Sequence, residues 1–317
     1  MRPTLFTLHL GAHGLDIHAY GLMVAAAAVV GVLAVLYQGR RIGFDTAALL
    51  DLAFWALVAA IVGSRVVYVL VHASDYARLC VGAGAPRPAL RVLNDCAAPL
   101  YLWQGGLVFY GGALAAAGVV MLFARRRAWP LGEVADLVAF PLPLGHALGR
   151  VGCFLAGCCY GKASPLGVHF PPASVAYQDL VRRSLLAPGA AFTPALAPTQ
   201  LYEAAGEGLL FVLLIILRRR RPFPGSLALI YVMGYALLRA TVEVLRGDPG
   251  RGFLVEISLP RVAGWLDLPA NQPLALSIAQ ALSLALGTAA AVTYRILRRR
   301  SSVWCSSLAG PSAQSRG

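Results

Sequence analysis

The chain has 317 residues, 58% of them hydrophobic and only 13% charged. A soluble domain carries about 25% charged residues, so an ordinary globular class is excluded. The net charge is +13, and all but one of the 27 basic residues are arginine. They gather in short clusters between apolar runs, without interleaved surface aromatics, which reads as membrane topology and argues against nucleic acid.

Taken in order, the segment Met1 to Val24 lacks a charged region leading straight into an apolar core and cleavage site. The first span is therefore expected to stay as an uncleaved anchor. Apolar runs of about 17–25 residues mark spanning helices, and they fall at roughly 19–37, 47–71, 105–124, 133–153, 199–217, 225–245 and 273–297. Arg40-Arg41, Arg125 to Arg127, Arg218 to Arg221 and Arg298 to Arg300 follow the first, third, fifth and seventh runs. Cytoplasmic flanks carry the excess of arginine and lysine, and the four clusters agree only with an odd count and an outer N-terminus. The expected fold is an all-α integral membrane bundle of seven transmembrane helices, N-terminus outside and C-terminus cytoplasmic.

One domain should then span 1–300. Its outer loops, 72–104, 154–198 and 246–272, are rich in Pro and Gly and should build a small extracytoplasmic head. Cys80 and Cys96 share the first loop, where an oxidising exterior permits either a disulfide or two free thiols. The polar tail 301–317 is expected to be disordered.

The chemistry concentrates in Gly145 to Gly161, GHALGRVGCFLAGCCYG, an apolar run that carries Arg150, His146 and three cysteines. An arginine inside a bilayer is costly and faces a polar cavity with something to bind. Tyr235, Arg239, Glu243 and Arg246 recur along one stripe of the sixth run, and Arg239 can pair with Glu243 at i,i+4. In the fifth run Pro198 suits a helix start, and Gln200, Glu203 and Glu207 fall on one face. Two polar stripes and Arg150 at similar depth indicate a shared cavity that holds an anion. Asp51, Asp136 and Glu207 read at least as well as structural ion-pair partners. Arg65 reads as a ligand clamp or an interfacial residue. In the third run the pairs Gly105-Gly106 and Gly111-Gly112 flank Tyr110, where backbone can approach another helix or a lipid tail. Cys153, Cys158 and Cys159 lack zinc-finger spacing and read as small buried hydrophobes, so no metal is expected. No other catalytic motif is present.

These residues carry a resemblance. IHAYGLM (Ile17 to Met23), GSRVVYVL (Gly63 to Leu70), WQGGLVFYGG (Trp103 to Gly112), GRVGCFLAGCCYG (Gly149 to Gly161), PTQLYE (Pro198 to Glu203) and YALLRATVEVLRG (Tyr235 to Gly247) occur in that order. The chain resembles the prolipoprotein diacylglyceryl transferases, membrane enzymes that begin bacterial lipoprotein maturation. The resemblance implies transfer of the diacylglyceryl group of phosphatidylglycerol to the lipobox cysteine of a prolipoprotein signal peptide. A thioether forms and glycerol-1-phosphate leaves, in the cytoplasmic (inner) membrane and with no cofactor. It implies Arg150 and Arg239 as phosphate-binding catalytic residues, with Tyr110 at a third catalytic position. Tyr20, Arg65, Gly105, Gly106, Gln200, Tyr202, Glu203, Tyr235, Glu243 and Arg246 would contact substrate.

The chain departs from the family at three points. Tyr110 stands where well-studied members have His, and Ala197 where a His often precedes PTQLYE. Cys153 and Cys158 replace an Asn and a Glu. Alternatives are a diverged member acting as another phospholipid-dependent transferase, or a non-catalytic lipid-binding or transport protein. Inverted repeats would mark the transporter, and none is seen.

Overall fold

The computed structural model describes residues 4–10, 13–81, 89–101, 106–248, 253–257 and 274–308. The order runs β1 (Thr4–Leu10), β2 (His13–His18), α1 (Ala19–Arg41), α2 (Thr46–Val71), α3 (Ala73–Val81), α4 (Ala89–Ala97), α5 (Phe109–Arg126), α6 (Leu131–Ala139) and α7 (Leu142–Ala156). It continues with β3 (Ala163–Val168), α8 (Val175–Arg182), α9 (Thr199–Leu217), α10 (Ser226–Leu245), β4 (Phe253–Ile257), β5 (Leu274–Ser277) and α11 (Ile278–Leu308). Contacts divide the chain into two compact units, Leu36–Val134 on one side and Met1–Val35 with Ala135–Gly317 on the other.

Five stretches are long and apolar enough to cross a membrane: α1, α2, α6 with α7, α9 with its following turn, and α10. In α1 and α2 only 6% of the most apolar window is buried. Water does not tolerate so continuous an apolar surface; hydrocarbon does. The protein is a multi-pass, helical membrane protein. The remaining two expected spans form the helices α5 and α11.

Several boundaries differ from the sequence reading. The run 133–153 is two helices, because Pro141 and Pro143 lie inside it and proline cannot donate to the preceding turn. Residues 274–277 are strand, and α11 begins only at Ile278. There Ser277 Oγ accepts from Gln280 N at 3.1 Å and Gln280 Oε1 accepts from Ser277 N at 3.1 Å, a reciprocal cap that fixes the start. At its far end α11 continues through Leu308, so residues 301–308 of the expected disordered tail are helical. Past Gly287 no Gly or Pro interrupts the chain before Gly310-Pro311, which lie outside the described residues. The all-α expectation also misses two short antiparallel pairs, β1 with β2 and β4 with β5.

In the unit Leu36–Val134, α2 and α5 pack through small residues. A Cβ on Gly112 would meet the Ala60 carbonyl at 2.7 Å, and one on Gly63 would meet the Gly111 carbonyl at 2.6 Å. The second glycine pair thus serves close helix contact. Cys80 of α3 and Cys96 of α4 form a disulfide.

In the other unit, α6, α9 and α10 enclose a core of Ala139, Leu214, Leu227 and Tyr231. The segment 154–198 has a core of its own: Tyr160, Phe170, Ala176, Leu180 and Leu196. Three backbone segments cross where it joins the helices. Gly161 N donates to Ala197 O at 2.8 Å, and Gly247 N donates to Tyr160 O at 3.1 Å. A Cβ on Gly161 would lie 2.6 Å from the Ala197 carbonyl oxygen, so this crossing requires glycine.

Candidate functional site

Three helices of this unit, α7, α9 and α10, carry the polar residues on facing stripes. On α7, His146, Arg150 and Cys153 recur at helical spacing; on α9, Gln200, Glu203 and Glu207; on α10, Tyr231, Tyr235, Arg239 and Glu243. They meet in layers.

The deepest layer joins all three helices. His146 Nδ1 lies 3.1 Å from Glu207 Oε1 and 2.8 Å from the Tyr231 hydroxyl. One turn along, Arg150 Nη2 pairs with Glu203 Oε1 at 2.9 Å. Arg239 Nη1 pairs with Glu243 Oε2 at 2.5 Å on α10. Tyr235, one turn before Arg239 on α10, has its ring centroid 5.3 Å from that of His146 and stacks on Tyr231. Beyond α10, Arg246 chelates Asp248, Nε to Oδ1 at 2.8 Å and Nη2 to Oδ2 at 2.6 Å.

Burial is unequal within each pair. Glu203 and Glu243 side chains are 3% and 1% exposed, while those of Arg150 and Arg239 are 22% and 12% exposed. Each carboxylate holds a guanidinium from behind and leaves part of it open. Among the described residues, the buried atoms without a hydrogen-bond partner include Glu207 Oε2 and Gln200 Oε1 here and Ser226 Oγ at the start of α10. Open guanidinium edges can donate in pairs to a phosphate, and act more strongly where the surroundings are less polar than water.

The cysteines cap this stack. Gly157, at φ 76°, ends α7, and Cys158 N donates to Cys153 O at 3.1 Å. The turn carries Cys158 and Cys159 back over the helix end, and the three Sγ atoms lie within 4.8 Å of one another. Gln200 Nε2 donates to Cys158 O at 2.6 Å, and Thr199 Oγ1 donates to Cys159 O at 2.7 Å. The Cys159 thiol, beyond the spanning segment, is held well below the ordinary thiol range. Hydrogen bonding from the Cys153 and Cys158 thiols is the main cause, and Arg246 and Arg150 add to it.

The expected site residues are distributed as follows. Arg150, Glu203, Tyr235, Arg239 and Glu243 come together, and Gln200 and Arg246 adjoin the cysteine turn. Tyr20 of α1 lies against α7, where a Cβ on Gly152 would sit 3.3 Å from its ring. Tyr202 is on the exposed side of α9. The other unit contains Arg65, Gly106 and Tyr110, and Gly105 lies outside the described residues. Arg65 is buried there and donates to three carbonyls, Pro99 O at 2.8 Å, Ala98 O at 2.9 Å and Gly106 O at 3.2 Å. Tyr110 is half exposed, edge-on to Phe109.

Sequence reasoning passed over Thr199, Tyr231 and Asp248. Thr199 lies inside the PTQLYE motif. Tyr231 precedes Tyr235 by four residues, so the α10 stripe could have been extended back by one turn. For Asp248 no periodic signal exists.

With this geometry in hand, the comparisons with known proteins are specific. A family model described as prolipoprotein diacylglyceryl transferase matches residues 6–296. A protein of Methylobacillus flagellatus named phosphatidylglycerol–prolipoprotein diacylglyceryl transferase is 32% identical over 276 residues, 83% of this chain and 90% of the relative. One of the same name from Cupriavidus necator is 33% identical over 277 residues, covering 83% and 86%. Another, from Clostridium tetani, is 29% identical over 251 residues, covering 78% and 87%.

Proposed function

We propose a reaction for this chain, which belongs to the prolipoprotein diacylglyceryl transferase family and is a membrane transferase. In this reaction the diacylglyceryl group of phosphatidylglycerol moves onto the lipobox cysteine of a prolipoprotein signal peptide. The thiol sulfur bonds to the terminal glyceryl carbon, and the C–O bond to phosphate breaks with its electron pair leaving on oxygen. Glycerol-1-phosphate departs and the thiol proton is released.

The observation that carries this reading is the pair of partly open guanidiniums, Arg150 on Glu203 and Arg239 on Glu243. Charge grows on the phosphate as its bond to carbon breaks. Donors already aimed there stabilise the transition state without reorganising, which is commonly the largest single catalytic effect. Glu203 and Glu243 position the two arginines, and Gln200 positions the turn beside them. Arg246 is assigned to the outer edge of the same anion site, and Tyr20 and Tyr202 to the lipid or peptide that enters it.

For the other unit the assignment rests on the resemblance. Tyr110 occupies the family's histidine position, and Gly105 and Gly106 are read as substrate contacts. Arg65 acts through the backbone it holds. The reading includes seven spans with the N-terminus outside, α5 and α11 among them, in the cytoplasmic membrane. The arginines that close α1 and α5 and those of Arg218–Arg220 support it under the positive-inside rule.

The test uses the purified full chain in detergent, phosphatidylglycerol and a synthetic lipobox peptide. Mass spectrometry should find a diacylglyceryl adduct on the peptide cysteine, absent with Arg239→Ala. A folded chain that forms no adduct, or an active Arg239→Ala, would overturn the assignment.

A further inference from the structure

The transfer needs a thiolate, because the protonated thiol is a poor nucleophile. Around the cysteine turn stand Arg150 on the same stripe of α7, Tyr20 against Gly152, and Arg246, bridged to Gly161. None of these is a base at neutral pH. His146 lies two turns below Cys153 and is engaged with Glu207 and Tyr231.

What the turn does present is three thiols. Their spacing, Cys153 followed by Cys158-Cys159, matches no zinc-finger pattern, which is why sequence reading assigns them to packing. Folding changes that. All three Sγ atoms lie within 4.8 Å of one another. Thiolates bound to one zinc at about 2.3 Å stand roughly 3.8 Å apart, so closing the set onto an ion takes shifts of about an ångström. The backbone under two of the ligands is pinned by Thr199 and Gln200, as bound metals require of their supporting groups. Cys159 holds a left-handed conformation, φ 59°, that residues other than glycine adopt rarely. Cys153 is buried while Cys158 and Cys159 are partly open, so an ion among them keeps one accessible side. Three thiolates and a divalent ion leave one net negative charge, and Arg150, one turn before Cys153 on α7, and Arg246, bridged to Gly161 just past the turn, are the cations beside it.

We infer that Cys153, Cys158 and Cys159 bind one Zn2+ as three thiolates, leaving its fourth position for the incoming peptide thiol. The role of that fourth position rests on the transfer reading above; the metal site itself does not. Three protein ligands and an open position are the pattern of catalytic zinc sites, and a coordinated thiol is deprotonated outright. The peptide thiol loses its proton to water on binding. Its sulfur then bonds to the glyceryl carbon, glycerol-1-phosphate leaves toward Arg150 and Arg239, and the neutral thioether dissociates. No oxidant or reductant takes part.

The experiment starts with full-length protein purified without chelators. Elemental analysis should find about one zinc per chain, lost in a Cys158→Ser, Cys159→Ser double variant. Cobalt exchanged into the wild-type site should give thiolate charge-transfer and tetrahedral d–d bands. Those bands should shift on adding a single-cysteine lipobox peptide but not its serine counterpart. The wild-type spectrum carries the test even if the double variant misfolds. Cys159→Ser should lower transfer at least about tenfold. A metal-free chain with three free thiols that still transfers the lipid overturns the zinc site and leaves the transfer reading standing. A disulfide among the three in freshly purified protein overturns it too. Bound cobalt indifferent to the peptide thiol would overturn the thiol-binding role. A chain that binds zinc and shifts with the peptide yet transfers nothing would sustain the site and sink the transfer reading.

Discussion

The two ends of α10 bury carboxylates in opposite ways. At its start Asp136 is fully used. Its Oδ1 accepts from Ala228 N at 3.0 Å, and its Oδ2 from Gly225 N at 2.9 Å and Arg221 Nη1 at 3.2 Å. That carboxylate caps a helix N-terminus, where backbone donors and the helix dipole favour negative charge. At the other end Glu203 and Glu243 each hold a guanidinium that stays partly open, and buried acceptors on Glu207 and Gln200 are left over. Composition is similar at both ends: acid, arginine, helix terminus. What differs is whether the acid is fully held by donors of the fold, as Asp136 is, or holds a guanidinium that stays partly open. The full set of partners on Asp136 marks structure; the partly open guanidiniums mark a site.

The comparison breaks most sharply by substitution. Arg150→Ala should cut diacylglyceryl transfer at least about a hundredfold, the scale of losing a transition-state donor. Arg150→Lys should keep the charge near Glu203 yet recover little of the rate, since an ammonium cannot present a planar fork. Both are read from adduct formation on the peptide. Near-full activity in Arg150→Ala would place the phosphate elsewhere.

Asp136→Ala should do the reverse. Removing one partner of a buried pair destabilises by about 3–5 kcal/mol, and here a helix cap goes with it. Thermal unfolding in detergent should move down by several degrees, while transfer per folded molecule stays within about twofold. An unchanged Tm would mean that Arg221 and water replace the cap at no cost. A lost rate at full stability would make Asp136 part of the site.

Both ends show how far the sequence could be read. The membrane class and the α10 stripe were legible because lipid demands apolar length and helices impose a 3.6-residue period on whatever they share. Arg239 with Glu243 follows from spacing alone. Arg150 with Glu203 does not, since residues on two helices meet only once α7 and α9 pack. Asp136 was visible as a buried acid, but its partners lie 85 to 92 residues away in the chain, and no local pattern names them. The proximity of the three cysteines was hidden for the same reason: a left-handed turn at Gly157 and Cys159 brings together thiols that linear spacing keeps apart. The start of α11 is a different case. Ser277-x-x-Gln280 is a capping box written in the sequence, and the apolar run before it simply outweighed it.

The smallest predicted effect tests where the site ends. His146 Nδ1 is shared by Glu207 Oε1 and the Tyr231 hydroxyl, one turn below Arg150 and two below the cysteines. This layer resembles the Asp136 corner in being cross-linked between helices, and resembles the site in leaving Glu207 Oε2 over. Tyr231→Phe removes one hydroxyl and keeps the ring that packs against Ala139, Leu214 and Leu227. If the layer is support, the loss is one hydrogen bond, about 1 kcal/mol, with transfer changed only a few-fold. A rate loss as large as that of Arg150→Ala, at unchanged Tm, would put His146 and Glu207 inside the chemistry, as a proton path beneath the arginines. The boundary between the two kinds of burial on α10 would then move down by a full turn, from Tyr235 to Tyr231.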